Sequence, residues 1–165
     1  ESGGDAVGGR KYFLSVAAIF RDEDLYLPEW IEFHRCAGVE HFFLYNHHSS
    51  SDKHEEILQP YIDAGVVTLE QAVCDVHCQV PTYTLCMESY GHLTKWLAFI
   101  DLDEFLMPSP SDAAGSNDRS LPETLQLFDQ HAAVLVHWLS FGSSMHETTP
   151  EGLVIENYVF RAREP

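Results

Sequence analysis

Four short, almost uninterrupted apolar runs punctuate the chain: YFLSVAAIF (Tyr12–Phe20), HFFLYN (His41–Asn46), VVTLE (Val66–Glu70) and WLAFID (Trp96–Asp101). They constrain the fold more than any other feature. A strand with one wet face alternates apolar and polar residues, whereas a run without alternation has to be covered on both faces. The segments between the runs read as helices. RDEDLYLPEWIEFHRCAG carries Pro28 where a first helical turn accepts it and Gly38 where a helix ends. Leu27, Trp30, Ile31 and His34 then share one face. SSSDKHEEILQPYIDAG opens on cap residues, is expected to break at Pro60 and stops at Gly65. TYTLCMESYGHL, Thr82 to Leu93, is a third helix that ends near Gly91.

Strand–helix alternation of this kind predicts an α/β domain with a mainly parallel central sheet and helices on both faces. Further along, PSPSDAAGSNDRS is a surface loop by composition, and LPETLQLFDQHA a helix with Pro122 near its start. AVLVHWLSF, Ala133 to Phe141, is expected as a fifth strand; GLVIENYVF fits a strand or a helix. Residues 1–11 read as a flexible lead-in, and a chain that starts at Glu1 is expected to be a fragment or a processed product.

Ligands of a parallel sheet lie beyond the carboxyl ends of its strands. Three polar clusters fall at such ends: Arg21-Asp22-Glu23, Tyr45-Asn46-His47-His48 and Asp101-Leu102-Asp103-Glu104. The chain has a net charge of -17, which excludes the clustered Lys and Arg that phosphate-backbone binding needs, so no nucleic-acid partner is expected. No apolar run approaches the ~20 residues of a membrane span. Neither a G-x-G-x-x-G nor a G-K-[ST] loop follows a strand, so a nucleotide's phosphates would have to be neutralised another way. Asp101 and Asp103, one residue apart, can face one point and suit a hard divalent cation, Mn²⁺ or Mg²⁺. Such an ion takes up phosphate oxygens and lets an acidic protein bind an acidic nucleotide. An Asp-x-Asp is also common by chance, where it merely caps a strand end. The cysteines are Cys36, Cys74, Cys78 and Cys86; they match no standard zinc spacing and read as a local disulfide or as buried thiols.

A wider set of residues resembles the family-92 glycosyltransferases. It includes LPEWIEFHRCAGVEHFFLYN, PYIDAGVVTLE, the separated Gln79, Tyr83, Cys86 and Tyr90, HLTKWLAFIDLDEFLMP, WLSFGSSMH and GLVIENYVFRA. The resemblance implies a GT-A nucleotide-diphospho-sugar transferase fold over residues 12–165, lacking its C-terminal part. It also implies a metal-dependent, inverting sugar transfer, with UDP-galactose as donor and a glycan as acceptor. Arg21, Asp22, Glu23, Tyr45, Asn46, Gln79, Asp101 and Leu102 would hold the nucleotide sugar. Asp101 and Asp103 would hold the metal, and Glu147, Glu151 and His146 would act at the acceptor, a carboxylate serving as general base. Trp138 and Phe141 would form a platform under a sugar ring or belong to the core. Family members imply a Golgi-lumenal protein whose only membrane contact is an N-terminal anchor not seen here, or a cytoplasmic one if the source is bacterial. A non-catalytic UDP-sugar- or glycan-binding domain on the same fold is the alternative. The sequence departs from the family at Asp22 (usually Asn), Asn46 (commonly Asp), Thr84 (frequently Asn) and Met145 (frequently Gly).

Overall fold

The computed structural model describes residues 9–108 and 119–161. Most of the expected lead-in, and most of the PSPSDAAGSNDRS loop, lie outside the described residues. The chain divides into two units, Glu1–Leu127 and Phe128–Pro165.

The first unit is built on a four-stranded, wholly parallel sheet of order β3-β2-β1-β4. Its elements are β1 (Tyr12–Phe20), α1 (Leu27–Cys36), β2 (His41–Asn46), α2 (Lys53–Asp63), β3 (Val67–Gln71), α3 (Gln79–Tyr90), a 3-10 turn at Gly91–Leu93, β4 (Thr94–Phe99) and α4 (Leu121–Gln126). β1 shows why its run has no polar alternation. Leu14, Val16, Ala18 and Phe20 enter one core with Leu27, Trp30 and Ile31 of α1, Leu58 of α2 and Leu121 of α4. Ala17 enters a second core on the opposite face, with Phe43, Tyr45 and Cys86 beneath α3. The mixed α/β fold with a parallel sheet and helices on both faces is therefore as expected.

Three helix expectations shift. Pro60 does not break α2. It sits late in the helix on an exposed face, where the carbonyl left without a donor by its missing N–H is open to solvent. α3 begins three residues earlier than expected, and the Gly91 turn follows it as a separate 3-10 element. The helix expected over LPETLQLFDQHA is confined to Leu121–Gln126, started by a reciprocal Ser120–Glu123 capping box. α4 is docked on the end of α1: the Leu121 N–H donates to the Ala37 carbonyl at 3.0 Å. Gly38 makes that approach possible, because at φ +104° a Cβ there would lie 2.6 Å from Pro122 Cδ.

The second unit corrects the fifth strand. Ala133–Phe141 forms no strand; its one pairing is the antiparallel bridge between Phe141 and Arg161. No described residue of 128–161 is buried, and Leu135 is 98% exposed. A β-run gains its stability from cross-strand partners, and among the described residues this one has only the bridge at Phe141. GLVIENYVF resolves as a single helical turn, α5 (Val154–Asn157). Among the described residues no helix is long and apolar enough to cross a membrane.

Candidate functional site

The three polar clusters meet at the carboxyl edge of the sheet. The β1 and β2 ends are buckled together. Asp22, at φ 57°, donates its N–H to Ser49 Oγ (3.0 Å) and accepts from the Ser50 N–H (2.6 Å) and Ser50 Oγ (2.8 Å). Those bonds hold its carboxyl below the usual carboxylate range. Ser51 Oγ donates to Asp24, so the three serines expected as helix caps, Ser49, Ser50 and Ser51, instead join loops. Asn46 is buried, and its amide oxygen accepts the Ser49 N–H at 3.0 Å. The end of β2 is in turn tied to the β3–α3 loop: His47 Nε2 lies 3.1 Å from the Asp75 carbonyl, and His48 Nε2 lies 2.9 Å from its carboxylate.

Three of the non-glycine residues with positive φ, Asp22, His48 and His77, sit in the loops that follow β1, β2 and β3. Left-handed backbone costs an L-residue about 1–2 kcal/mol. Its concentration along one sheet edge is a pattern that goes with ligand sites rather than with turns in general.

The chain leaves β4 through Ile100 and turns at Asp101–Glu104. The turn is closed twice: the Glu104 N–H donates to the Asp101 carbonyl (3.1 Å), and the Asp101 N–H donates to Glu104 Oε2 (2.9 Å). α1 clamps the end of this turn and the residues just past it. Trp30 Nε1 donates to the Glu104 carbonyl at 2.8 Å, and the Leu106 N–H donates to His34 Nε2 at 3.0 Å. His34 Nδ1 faces the Trp30 carbonyl at 2.8 Å, so the ring is neutral with its proton on Nδ1. Burial pushes its pKa down to about 4.

Asp101 and Asp103 are exposed on this turn, and Gln79 at the start of α3 donates its amide to Asp101 Oδ1 at 3.2 Å. Glu23 completes the group. Its carboxyl is raised, first by burial and then by the negative charges of Asp103 and Asp101; a hydrogen bond from the Arg21 N–H works against these. Tyr83 of α3 is pushed up to about 12, by burial and by the Asp101 charge. Carboxylate oxygens gathered around one point suit a hard cation. Among the described residues no three His, Cys, Asp or Glu side chains come together closely enough to hold a metal on their own.

Two residues expected to touch the nucleotide belong to the core. Tyr45 is 1% exposed and lies against Cys86 under α3. Leu102 is 3% exposed and packs in the α1-side core, so its side chain anchors the turn between the two aspartates. Arg21 is exposed, 3.8 Å from Asp22. Conversely, no positioning role was expected of His34. The signal for His34 was visible as a histidine one turn after Trp30 on the apolar face of α1.

Glu147, Glu151 and His146 lie in the second unit and are exposed. There, His146 Nε2 is 3.2 Å from the Asn157 carbonyl, and Asn157 Nδ2 donates to the Glu151 carbonyl at 3.0 Å. Ser144 and Met145 have φ of 51° and 69°. The left-handed backbone at Met145 explains why glycine suits that position.

Sequence comparisons bear on this geometry. The model of glycosyltransferase family 92 matches residues 10–162. A galactan beta-1,4-galactosyltransferase of Arabidopsis thaliana, GALS3, is 35% identical over 106 residues, covering 59% of this chain and 21% of its own length. A second from the same plant, GALS2, is 33% identical over 108 residues, covering 61% of this chain and 21% of its own. A family 92 protein of Ricinus communis is 26% identical over 159 residues, covering 94% of this chain and 27% of its own. The chain spans roughly a quarter or less of these relatives.

Proposed function

The chain belongs to glycosyltransferase family 92, and from that premise we propose that it transfers a hexose from a UDP-sugar to a glycan hydroxyl with a divalent cation, Mn²⁺ or Mg²⁺. The observation that carries the reading is the carboxylate group at the sheet edge: Asp101 and Asp103 on a doubly closed turn, Glu23 opposite, and Gln79 bonded to Asp101. Carboxylate oxygens suit such a cation; Asp101 and Asp103 would hold it, with Glu23 nearby and the remaining positions left to the diphosphate and water. When bound, the ion supplies positive charge to a diphosphate. This chain's own residues do the positioning. Glu104 and α1 fix the aspartates, the Asp22–Ser50 buckle fixes the loop that carries Glu23, and the amide of Gln79 orients Asp101. Preorganised groups of this kind need not rearrange as charge develops on the leaving group. Galactose as the transferred sugar is supported by the names of the two Arabidopsis relatives. The general base is assigned to Glu147 or Glu151, with His146 as an acceptor contact, and an anchored Golgi enzyme is part of the same proposal for the full-length protein.

The test is hydrolysis and transfer with a panel of UDP-sugars and Mn²⁺. Asp103→Ala is expected to reduce turnover on the order of 10²–10³-fold. Glu147→Gln and Glu151→Gln are compared on the same donors, and the base lowers transfer while leaving UDP binding intact. Cation-dependent UDP binding without turnover of any sugar would identify a binding module instead; neither binding nor turnover would overturn the reading altogether.

A further inference from the structure

The β3–α3 loop holds a second piece of chemistry that the carboxylate site does not use. Cys78 Sγ donates a hydrogen bond to the Cys74 carbonyl, which brings it against the Cys74 residue, and the Cys74 thiol is among its electrostatic neighbours. His77, at φ 55°, makes the turn that folds Cys78 back onto Cys74. Cys78 is 5% exposed, whereas Cys74 is half-buried and open to a reagent. The other cysteines are poor partners. Cys86 faces the core eight residues further along the helix, a rise of about 12 Å, which exceeds what a disulfide spans. Cys36 ends α1 on the exposed side.

We propose that Cys74 and Cys78 form an intrachain disulfide by exchange with an external disulfide, small-molecule or protein-borne, and that the bond pins the start of α3. The Cys74 thiolate attacks one sulfur of the external disulfide and displaces the first thiol. Cys78 then gives up its proton and attacks Cys74 Sγ, displacing the second. One external disulfide is reduced to two thiols as one protein disulfide forms. The order follows from the environment: burial and the Cys74 neighbour push the Cys78 thiol up to about 11, which leaves the half-buried Cys74 as the first nucleophile. Cys78 is the residue that precedes α3, and the next residue, Gln79, holds Asp101. The bond therefore restrains the backbone from which the candidate site is oriented. Neither the bond nor its effect on the loop depends on sugar transfer.

The full chain is equilibrated with oxidised or reduced glutathione, its remaining thiols are blocked, and it is cleaved on the amino side of Asp75. The expected result is a pair of peptides linked across that cut in the oxidised sample, absent after reduction and absent in Cys74→Ser. Hydrogen exchange of the 74–80 amides should slow on the order of tenfold on oxidation, with β1–β4 unchanged. Complete blocking of both thiols after oxidation would overturn the pairing. So would a lasting glutathione adduct, or a link from either residue to Cys36 or Cys86. Unchanged exchange in the linked protein would overturn the pinning of α3.

Discussion

YFLSVAAIF and AVLVHWLSF are alike in length, apolar content and strand-forming residues, yet they end differently. The first is β1, hydrogen-bonded to β2 on one side and β4 on the other, with side chains buried on both faces. The second has one isolated bridge, and Trp138 within it is 76% exposed. Propensity is common to both, so it does not decide the outcome. A β-run is stabilised by the neighbours that accept its N–H groups and cover its faces. The difference extends to polar groups. At the carboxyl edge of the sheet, loops after successive strands hydrogen-bond one another. In Phe128–Arg161, Ser144 Oγ accepts the Phe160 N–H across a region with no buried residue beneath it.

Tryptophan substitutions break this comparison most directly. Trp30 is fully buried and donates to the Glu104 carbonyl, so Trp30→Ala is expected to cost ~3–5 kcal/mol in urea unfolding. Trp30→Phe, which keeps most of the apolar area and leaves that carbonyl without its donor, should cost ~1–2 kcal/mol. Trp138→Ala should change stability by less than ~0.5 kcal/mol. Equal effects at 30 and 138 would mean that the second run is packed after all.

Acid sharpens the same contrast through His34, which belongs wholly to the first unit. An unfolded histidine titrates near 6.5, and His34 in the fold near 4. The folded value is depressed, so the His34 contribution is complete above 6.5 and is lost as pH falls toward 4. The loss amounts to about 3 kcal/mol. A second proton would place an N–H against the Leu106 N–H and release the segment after Glu104. Urea midpoints between pH 7 and 4 should fall for the wild type and fall less for His34→Gln. Parallel curves would show that another group carries the acid sensitivity.

The architecture was legible because its signals are local. Apolar runs without alternation mark strands covered on both faces, and the Pro28 and Gly38 positions bracket α1. Convergence of the polar clusters was legible too, since parallel strands end on one side. What the residues did not disclose was which way a side chain faces at a strand end. Tyr45 and Asn46 are neighbours at the end of β2, yet Tyr45 goes under α3 while Asn46 braces the next loop. The partner of His34 was opaque for a related reason: it is the backbone N–H of Leu106, and no spacing rule marks that. The fifth strand failed because pairing is a property of two segments, whereas the pattern was read from one.

Backbone strain offers the smallest and most discriminating comparison. Asp22 and Met145 both have positive φ, and each is non-glycine at a tight turn. Asp22 is compensated by its bonds to Ser49 and Ser50, whereas the Met145 side chain is 87% exposed. Replacing each with glycine removes the same steric cost and should produce opposite signs. Asp22→Gly gives up two bonds to the carboxylate that hold the β1 and β2 loops together, so its thermal midpoint should drop and exchange at residues 49–51 should quicken. Met145→Gly gives up no such bond. Relief of about 1–2 kcal/mol of left-handed strain, set against roughly 0.5–1 kcal/mol of added chain entropy, leaves a net gain of ~0.5–1 kcal/mol. It should appear as slower exchange across residues 142–146. Gains at both sites would show that the Asp22–Ser50 buckle does not hold the sheet edge together, and the distinction between a braced edge and an unbraced region would fail there.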